Sequence, residues 1–314
     1  LLGQFGVQVG SIVIEIGGVV ADVDLTSPQD LLDATEASPV RCPDPQATEE
    51  MKALIDNARR TGDTLGGVFV VWATGLPIGL GSYVHWDRRL DGLLAQAVMS
   101  IQAIKGVEIG EAFENARRNG RDVHDQIYAG SNGLERRTNR AGGLEGGVTN
   151  GQVLIVRGAM KPISTTINPL QTVDLATGEQ TTTTYQRSDF CAVPAAGVVG
   201  EAMVALVLAD QLLVSFGGDT IGDLRAAGEK HAHERIAHGV DVEGREHLHQ
   251  PLAALGFKEG EQKKQIVLFT SDGYEIETQS LRSSPHCEPS VRQATGDRNS
   301  YRHMRELFPL IAVY

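Results

Sequence analysis

The chain has 314 residues, with 41% apolar and 22% charged positions and a net charge of -12. That length allows one large domain or two ordinary ones, and the composition is that of a soluble globular protein. An acidic chain repels a phosphate backbone, so nucleic acid is excluded as a general partner, while a local basic site for a small anion stays open.

In chain order, Val7 to Ile16 is dense in β-branched residues and predicts a strand. Residues 20–47 have the Pro/Asp/Ser composition of a loop. Thr48 is the expected cap of a helix that carries Glu49 and Glu50 in its first turn and Met51, Leu54, Ile55 and Ala58 on one face. Gly66-Gly67 then leads into a strand through Val68, Val70 and Trp72. A second helix is expected from Asp87 or Asp91, with Leu90, Leu94, Ala97, Val98, Ile101 and Ile104 at helical spacing and a stop at Gly106. Residues 110–151 are glycine-rich and charged without a sustained period, and so long a stretch usually serves function. Gln152 to Met160 predicts a strand, with Val153, Ile155 and Ala159 on one face.

The most apolar stretch, Ala192 to Leu213, opens with Pro194 near the first turn of a helix and is read as buried. Its uninterrupted apolar core is shorter than the ~20 residues that span a bilayer, so no membrane partner is expected. Cys42, Cys191 and Cys287 are few and scattered, which points to a reduced cytoplasmic setting without structural zinc. Seven of the nine histidines lie beyond Gly228, and that shift marks a boundary between residues 1–227 and a tail at 228–314. In the tail, Ile266–Ser271 and Tyr274–Gln279 around Asp272-Gly273 predict a hairpin with a two-residue turn. The run His231, His233, His238, His247 and His249 does not give the H-E-x-x-H zinc spacing, and a solvated polar helix is the favoured reading.

Four segments carry residues suited to chemistry. Met99 to Gly110 ends an amphipathic helix on a glycine stop. Thr138 to Gly151 holds two Gly-Gly pairs that let backbone approach a flat or phosphorylated ligand, with Arg136, Arg137 and Arg140 nearby; it is not a P-loop, since it lacks G-K-[ST] and precedes a strand. Lys161-Pro-Ile-Ser-Thr165 offers a cation and two hydroxyls beyond a strand end. Gln186 to Pro194 places Arg187 and Asp189 two apart, on one side of an extended segment, where an arginine holds an anion and a carboxylate manages a proton. Each has a plain structural alternative: a helix end, a flexible loop, a strand-to-turn junction and a surface ion pair.

In this order the segments MSIQAIKGVEIG, TNRAGGLEGGVTNG, AMKPIST and QRSDFCAVPAAGVVGEAMVALVLAD, with GDTLGG and LPIGLGS before them, resemble the C-terminal two-thirds of the chorismate synthase family over about residues 1–227. The resemblance implies an α+β fold, a layered β-α-β sandwich. It also implies a homotetramer and a lyase that converts 5-enolpyruvylshikimate 3-phosphate to chorismate by 1,4-elimination of phosphate. That reaction needs reduced FMN without net redox change, and NADP belongs to the same family picture. Carried over by motif, Gln102, Ala103, Gly146, Lys161, Pro162, Ile163, Ser164, Thr165 and Arg187 are expected at the flavin, and Asp189 and Arg187 are the expected catalytic residues. His124-Asp125 resembles a mobile loop over the flavin. Phe190 departs from the family, where a smaller residue or proline is usual. The family's two catalytic histidines and several substrate arginines match nothing here, so the 314-residue chain alone is expected not to turn over. A non-catalytic flavin- or subunit-binding piece, and a tail that recruits a partner, are the alternative readings.

Overall fold

A computed structural model describes residues 1–130, 133–186 and 189–239, together with two short strands further on. Contacts group the chain into two units, Leu1–Ile236 and Ala237–Tyr314. The first contains β1 (Gln8–Ile16), β2 (Val19–Val20), α1 (Leu32–Ala37), α2 (Pro45–Thr61), β3 (Gly67–Thr74), α3 (Leu90–Met99) and β4 (Ile104–Ile109). Next come the one-turn helices α4 (Ala112–Asn115) and α5 (Gly120–Val123), then the ribbons β5–β6 (Ile127–Gly130, Gly133–Arg136) and β7–β8 (Leu144–Glu145, Val148–Thr149). β9 (Leu154–Met160), the ribbon β10–β11 (Gln171–Val173, Gln180–Thr182), α6 (Val193–Phe216) and most of α7 (Ile221–Gly239), whose last three residues lie past Ile236, complete it. α7 runs unbroken through Gly228, where the composition changes. The second unit contributes β12 (Ile266–Phe269) paired with β13 (Glu275–Thr278). Phe269 faces Glu275. A two-residue Asp272-Gly273 turn would set Phe269 against Ile276, so the strands form as expected but in a register shifted by one.

The fold is α+β. Five antiparallel strands form one sheet in the order β2-β1-β3-β9-β4, and α6 and α3 pack on one face of it. Side chains alternate across a strand, and that period sorts the core. Phe69, Val71 and Ala73 of β3 and Leu154 and Val156 of β9 meet Val193, Ala196, Val204, Leu208 and Leu212 of α6. Val70, Trp72, Ile12 and Ile155 face the other way and are packed by Leu25 and Leu31 of the 20–47 segment. At Gly200 the helix comes so close to the sheet that a Cβ would sit 2.6 Å from the Phe69 ring. Ser11 is buried in the same seam and donates to Glu201, a carboxylate that lies near the Arg41 guanidinium.

Four elements differ from their sequence expectations, the first being α1 (Leu32–Ala37), which forms inside the 20–47 segment expected as loop. α2 starts at Pro45, because the Asp44 carboxylate accepts from the Gln46 and Ala47 N–H groups and proline suits the first turn. The Thr48 hydroxyl instead donates to the Cys42 carbonyl. α3 stops at Met99, where the Ser100 hydroxyl donates to Ala97 O and Ala103 takes a left-handed φ of 68°. Ile104 then opens β4, so pairing with β9 overrides the helical spacing of Ile101 and Ile104. α6 buries one face only: Leu206 and Val214 are 66% and 69% exposed. Among the described residues it is the one helix long and apolar enough to cross a membrane by length and composition, and its inner face lies on β1 and β3.

Candidate functional site

Antiparallel pairing brings several chain reversals to one end of the sheet. Ile16 faces Gly67, Gly67 faces Met160, and Met160 faces Ile104. The residues next in sequence therefore meet. The Lys161 N–H donates to Ala103 O at 3.0 Å, and the Leu65 N–H donates to Phe190 O at 2.7 Å. This end joins Gln102 and Ala103, the run Lys161, Pro162, Ile163, Ser164 and Thr165, and the approach to α6 that carries Asp189. Gln102, Lys161, Pro162, Ser164 and Asp189 are exposed, while Ile163 and Thr165 are half-buried. Among the described residues the Lys161 ammonium makes no ion pair, and the same holds for Lys105, an exposed cation early in β4 that the motifs did not single out. Arg187 lies outside the described residues.

The glycine segment is divided. Gly146 and Gly147 form the two-residue turn of the β7–β8 ribbon with φ of 64° and 92°, a combination that favours glycine at both places. A Cβ on Gly146 would meet nothing within 4 Å. Gly147 O accepts from the Leu90 N–H at the start of α3, whereas Gln102 follows the end of that helix. Ten residues at ~1.5 Å each put roughly 15 Å between these places. The structure thus gathers Gln102, Ala103, Lys161–Thr165 and Asp189, and sets Gly146 apart.

Asp125 is a residue whose part the sequence does not reveal. It is 7% exposed, and its carboxylate accepts from Thr138 Oγ1 at 2.5 Å and from the Arg140 and Ala141 N–H groups at 2.9 Å each. Arg136 donates to its carbonyl. Burial alone would raise its pKa. The bonds from Thr138, Ala141 and Arg140 and the charge of Arg136 outweigh that, and hold the carboxyl below its ordinary value. Asp125 therefore ties the chain at 125 to the loop at 138–141. No local spacing signals such a role, because its partners lie 13–16 residues away.

Burial raises the Cys42 and Cys191 thiols above their usual range, which leaves both poor nucleophiles. Among the described residues no group of three metal-ligating side chains occurs. What the sheet end offers is an ammonium without an ion pair among the described residues, the Ser164 hydroxyl, the Gln102 amide and an exposed carboxylate. The ammonium, amide and hydroxyl of that set fit an anionic, hydrogen-bonding flavin: cation for charge, amide and hydroxyl for ring or phosphate oxygens.

Three comparisons bear on this arrangement. The family model described as chorismate synthase matches residues 1–213. A chorismate synthase of Acidothermus cellulolyticus is 59% identical over 221 residues, covering 70% of this chain and 56% of that protein. One from Rubrobacter xylanophilus is 55% identical over 229 residues, covering 73% and 58%. A solved structure titled as the crystal structure of chorismate synthase superposes with a TM-score of 0.62 at 43% identity, covering 74% of this chain and 65% of that one. The chain thus spans somewhat more than half the length of the curated relatives it matches.

Proposed function

Since this chain belongs to the chorismate synthase family, we propose that the protein acts in the 1,4-elimination of phosphate from 5-enolpyruvylshikimate 3-phosphate, giving chorismate. We propose reduced FMN as its cofactor, held at the sheet end. The observation that carries this reading is the meeting of Gln102-Ala103, Lys161–Thr165 and Asp189 around the hydrogen bonds Lys161 N to Ala103 O and Leu65 N to Phe190 O.

When bound, reduced FMN lends electron density to the allylic system as phosphate leaves. The chain's own residues position and charge-balance the reactants. Lys161, exposed and without an ion pair among the described residues, holds anionic oxygens. The Gln102 amide and the Ser164 and Thr165 hydroxyls supply directional bonds, while Ala103, Pro162 and Ile163 form the surface that excludes water. Arg187 is proposed to touch both flavin and substrate, and Asp189 to hold and release the proton at the flavin N5. These cations matter because the chain is acidic overall and its two main ligands are anions. Gly146 belongs to the proposed flavin set by motif, although it stands apart from the rest in the fold. The apolar side chains exposed on α6 offer area for the contacts of a homotetramer.

The test is anaerobic titration of the protein with FMN under reducing conditions, with and without 5-enolpyruvylshikimate 3-phosphate, followed by measurement of chorismate. Saturable flavin binding tightened by the phosphorylated substrate supports the reading. Absence of binding in both conditions overturns it, as does flavin binding indifferent to Lys161→Ala.

A further inference from the structure

The loop between α2 and β3, Thr61 to Gly67, touches both of the segments assigned to the flavin and to proton handling. It carries the motif Gly62-Asp-Thr-Leu-Gly-Gly67, which the proposed mechanism does not use. Its contacts are closely spaced. The Thr64 hydroxyl donates to Ile163 O at 2.6 Å, in the middle of the Lys161–Thr165 run. Gly62 O accepts from the Ile167 and Asn168 N–H groups at 3.1 and 3.4 Å, and the Asn168 amide donates to Thr61 O at 2.6 Å. On the other side, Leu65 pairs with Cys191 as an isolated parallel bridge, and its N–H donates to Phe190 O, next to Asp189. Gly66 lies against the chain where it leaves β9: a Cβ there would stand 2.3 Å from Met160 O and 2.9 Å from the Pro162 ring.

We infer that this loop is a clasp and that Thr64 is the positioning residue of the site, acting through Ile163 on the Lys161–Thr165 run. Residues 161–168 lie beyond the ladder bonds of the sheet. They follow the last ladder position of β9, most of their side chains are exposed, and Pro162 has no N–H to give. The Thr64 side chain is by contrast 7% exposed, so its hydroxyl bonds the carbonyl with little competition from water. Its own N–H is occupied by the Asp63 carboxylate at 2.8 Å, which fixes the rotation of the loop that aims the hydroxyl. One loop thereby sets the distance between the cation that receives the ligand and the carboxylate that manages the proton. A valine at 64 keeps shape and removes the donor; a serine keeps the donor.

The inference rests on the flavin reading for its binding arm, so the test has a second arm that does not. In the first, backbone amide exchange of the intact protein without flavin is compared for wild type, Thr64→Val and Thr64→Ser. Exchange at Lys161, Ile167 and Asn168 is expected to rise severalfold in Thr64→Val, with that in α6 unchanged and Thr64→Ser matching wild type. In the second, FMN affinity is expected to fall about three- to tenfold in Thr64→Val and to be restored in Thr64→Ser, as suits loss of one buried hydrogen bond. Asn168→Ala, at an exposed position that does not threaten the fold, is expected to move both readouts the same way by less. Unchanged exchange at 161–168 in Thr64→Val and Asn168→Ala overturns the clasp. Raised exchange with unchanged FMN affinity overturns the positioning role. Failure of the wild type to bind FMN at all refutes the flavin reading instead, while the exchange arm still decides the clasp.

Discussion

Replacing Asp125 by asparagine is a sharp perturbation of the loop system beside the sheet. The carboxylate takes three donors, two on Oδ1 and one on Oδ2, at a position 7% exposed. Asparagine keeps one acceptor oxygen and turns an NH2 group toward the remaining donor, the Ala141 N–H. One buried donor left unsatisfied costs about 1–3 kcal/mol, and the two surviving bonds lose their charge assistance, so the total comes to about 2–4 kcal/mol. For a unit of this size, roughly 2–4 °C per kcal/mol gives a Tm lower by about 4–16 °C near neutral pH. The effect carries a definite pH dependence. The folded-state pKa of Asp125 lies below its unfolded value of about 3.9, so its contribution is fully present above that value and is lost as pH falls through the folded pKa. Thermal unfolding of wild type and variant is therefore expected to diverge at pH 7 and to converge in acid. A difference under ~0.5 kcal/mol at pH 7, or one that grows on acidification, refutes the reasoning.

Gly200→Ala is expected to destabilise the sheet–α6 seam by about 1–3 kcal/mol in chemical denaturation, because the added carbon meets Phe69 at 2.6 Å. Asp44→Ala removes the cap that serves two N–H groups of α2 and should cost about 1 kcal/mol, read in the same experiment. Lys161→Ala is expected to weaken flavin or substrate binding by about 1.5–3 kcal/mol, measured by fluorescence titration, while leaving Tm within about 2 °C, since the side chain is exposed. Ending the chain after Ile236, where the two units divide, is expected to change the unfolding free energy of the first by less than ~2 kcal/mol.

The strands at Gln8–Ile16, Gly67–Thr74 and Leu154–Met160 are legible in sequence because both their faces are covered, and β-branched density and alternation both report that. α6 is legible in extent from Pro194 and its apolar run. Its exposed face is not, since a helix apolar on all sides reads as buried whatever covers it. The end of α3 misleads because Ile101 and Ile104 continue the helical spacing by chance, while Ile104 answers to β9, more than fifty residues away. Of the candidate site, the motifs named Gln102, Lys161 and Asp189. Their meeting at one sheet end follows only from strand pairing, as does the distance of Gly146. Asp125 and Thr64 were invisible as contacts: each bonds backbone groups 15–99 residues away, and no local pattern encodes such a bond.

The most direct measurement of the central claim is an anaerobic titration with reduced FMN of the wild type and of two alanine variants. One variant, Lys161→Ala, lies at the proposed flavin end; the other, Arg59→Ala, lies in the last turn of α2, outside the proposed flavin set. Saturable binding is predicted, weakened at least tenfold in Lys161→Ala and unchanged in Arg59→Ala. Equal affinities in all three proteins, or no binding by the wild type, contradict the placement of the flavin at this end of the sheet.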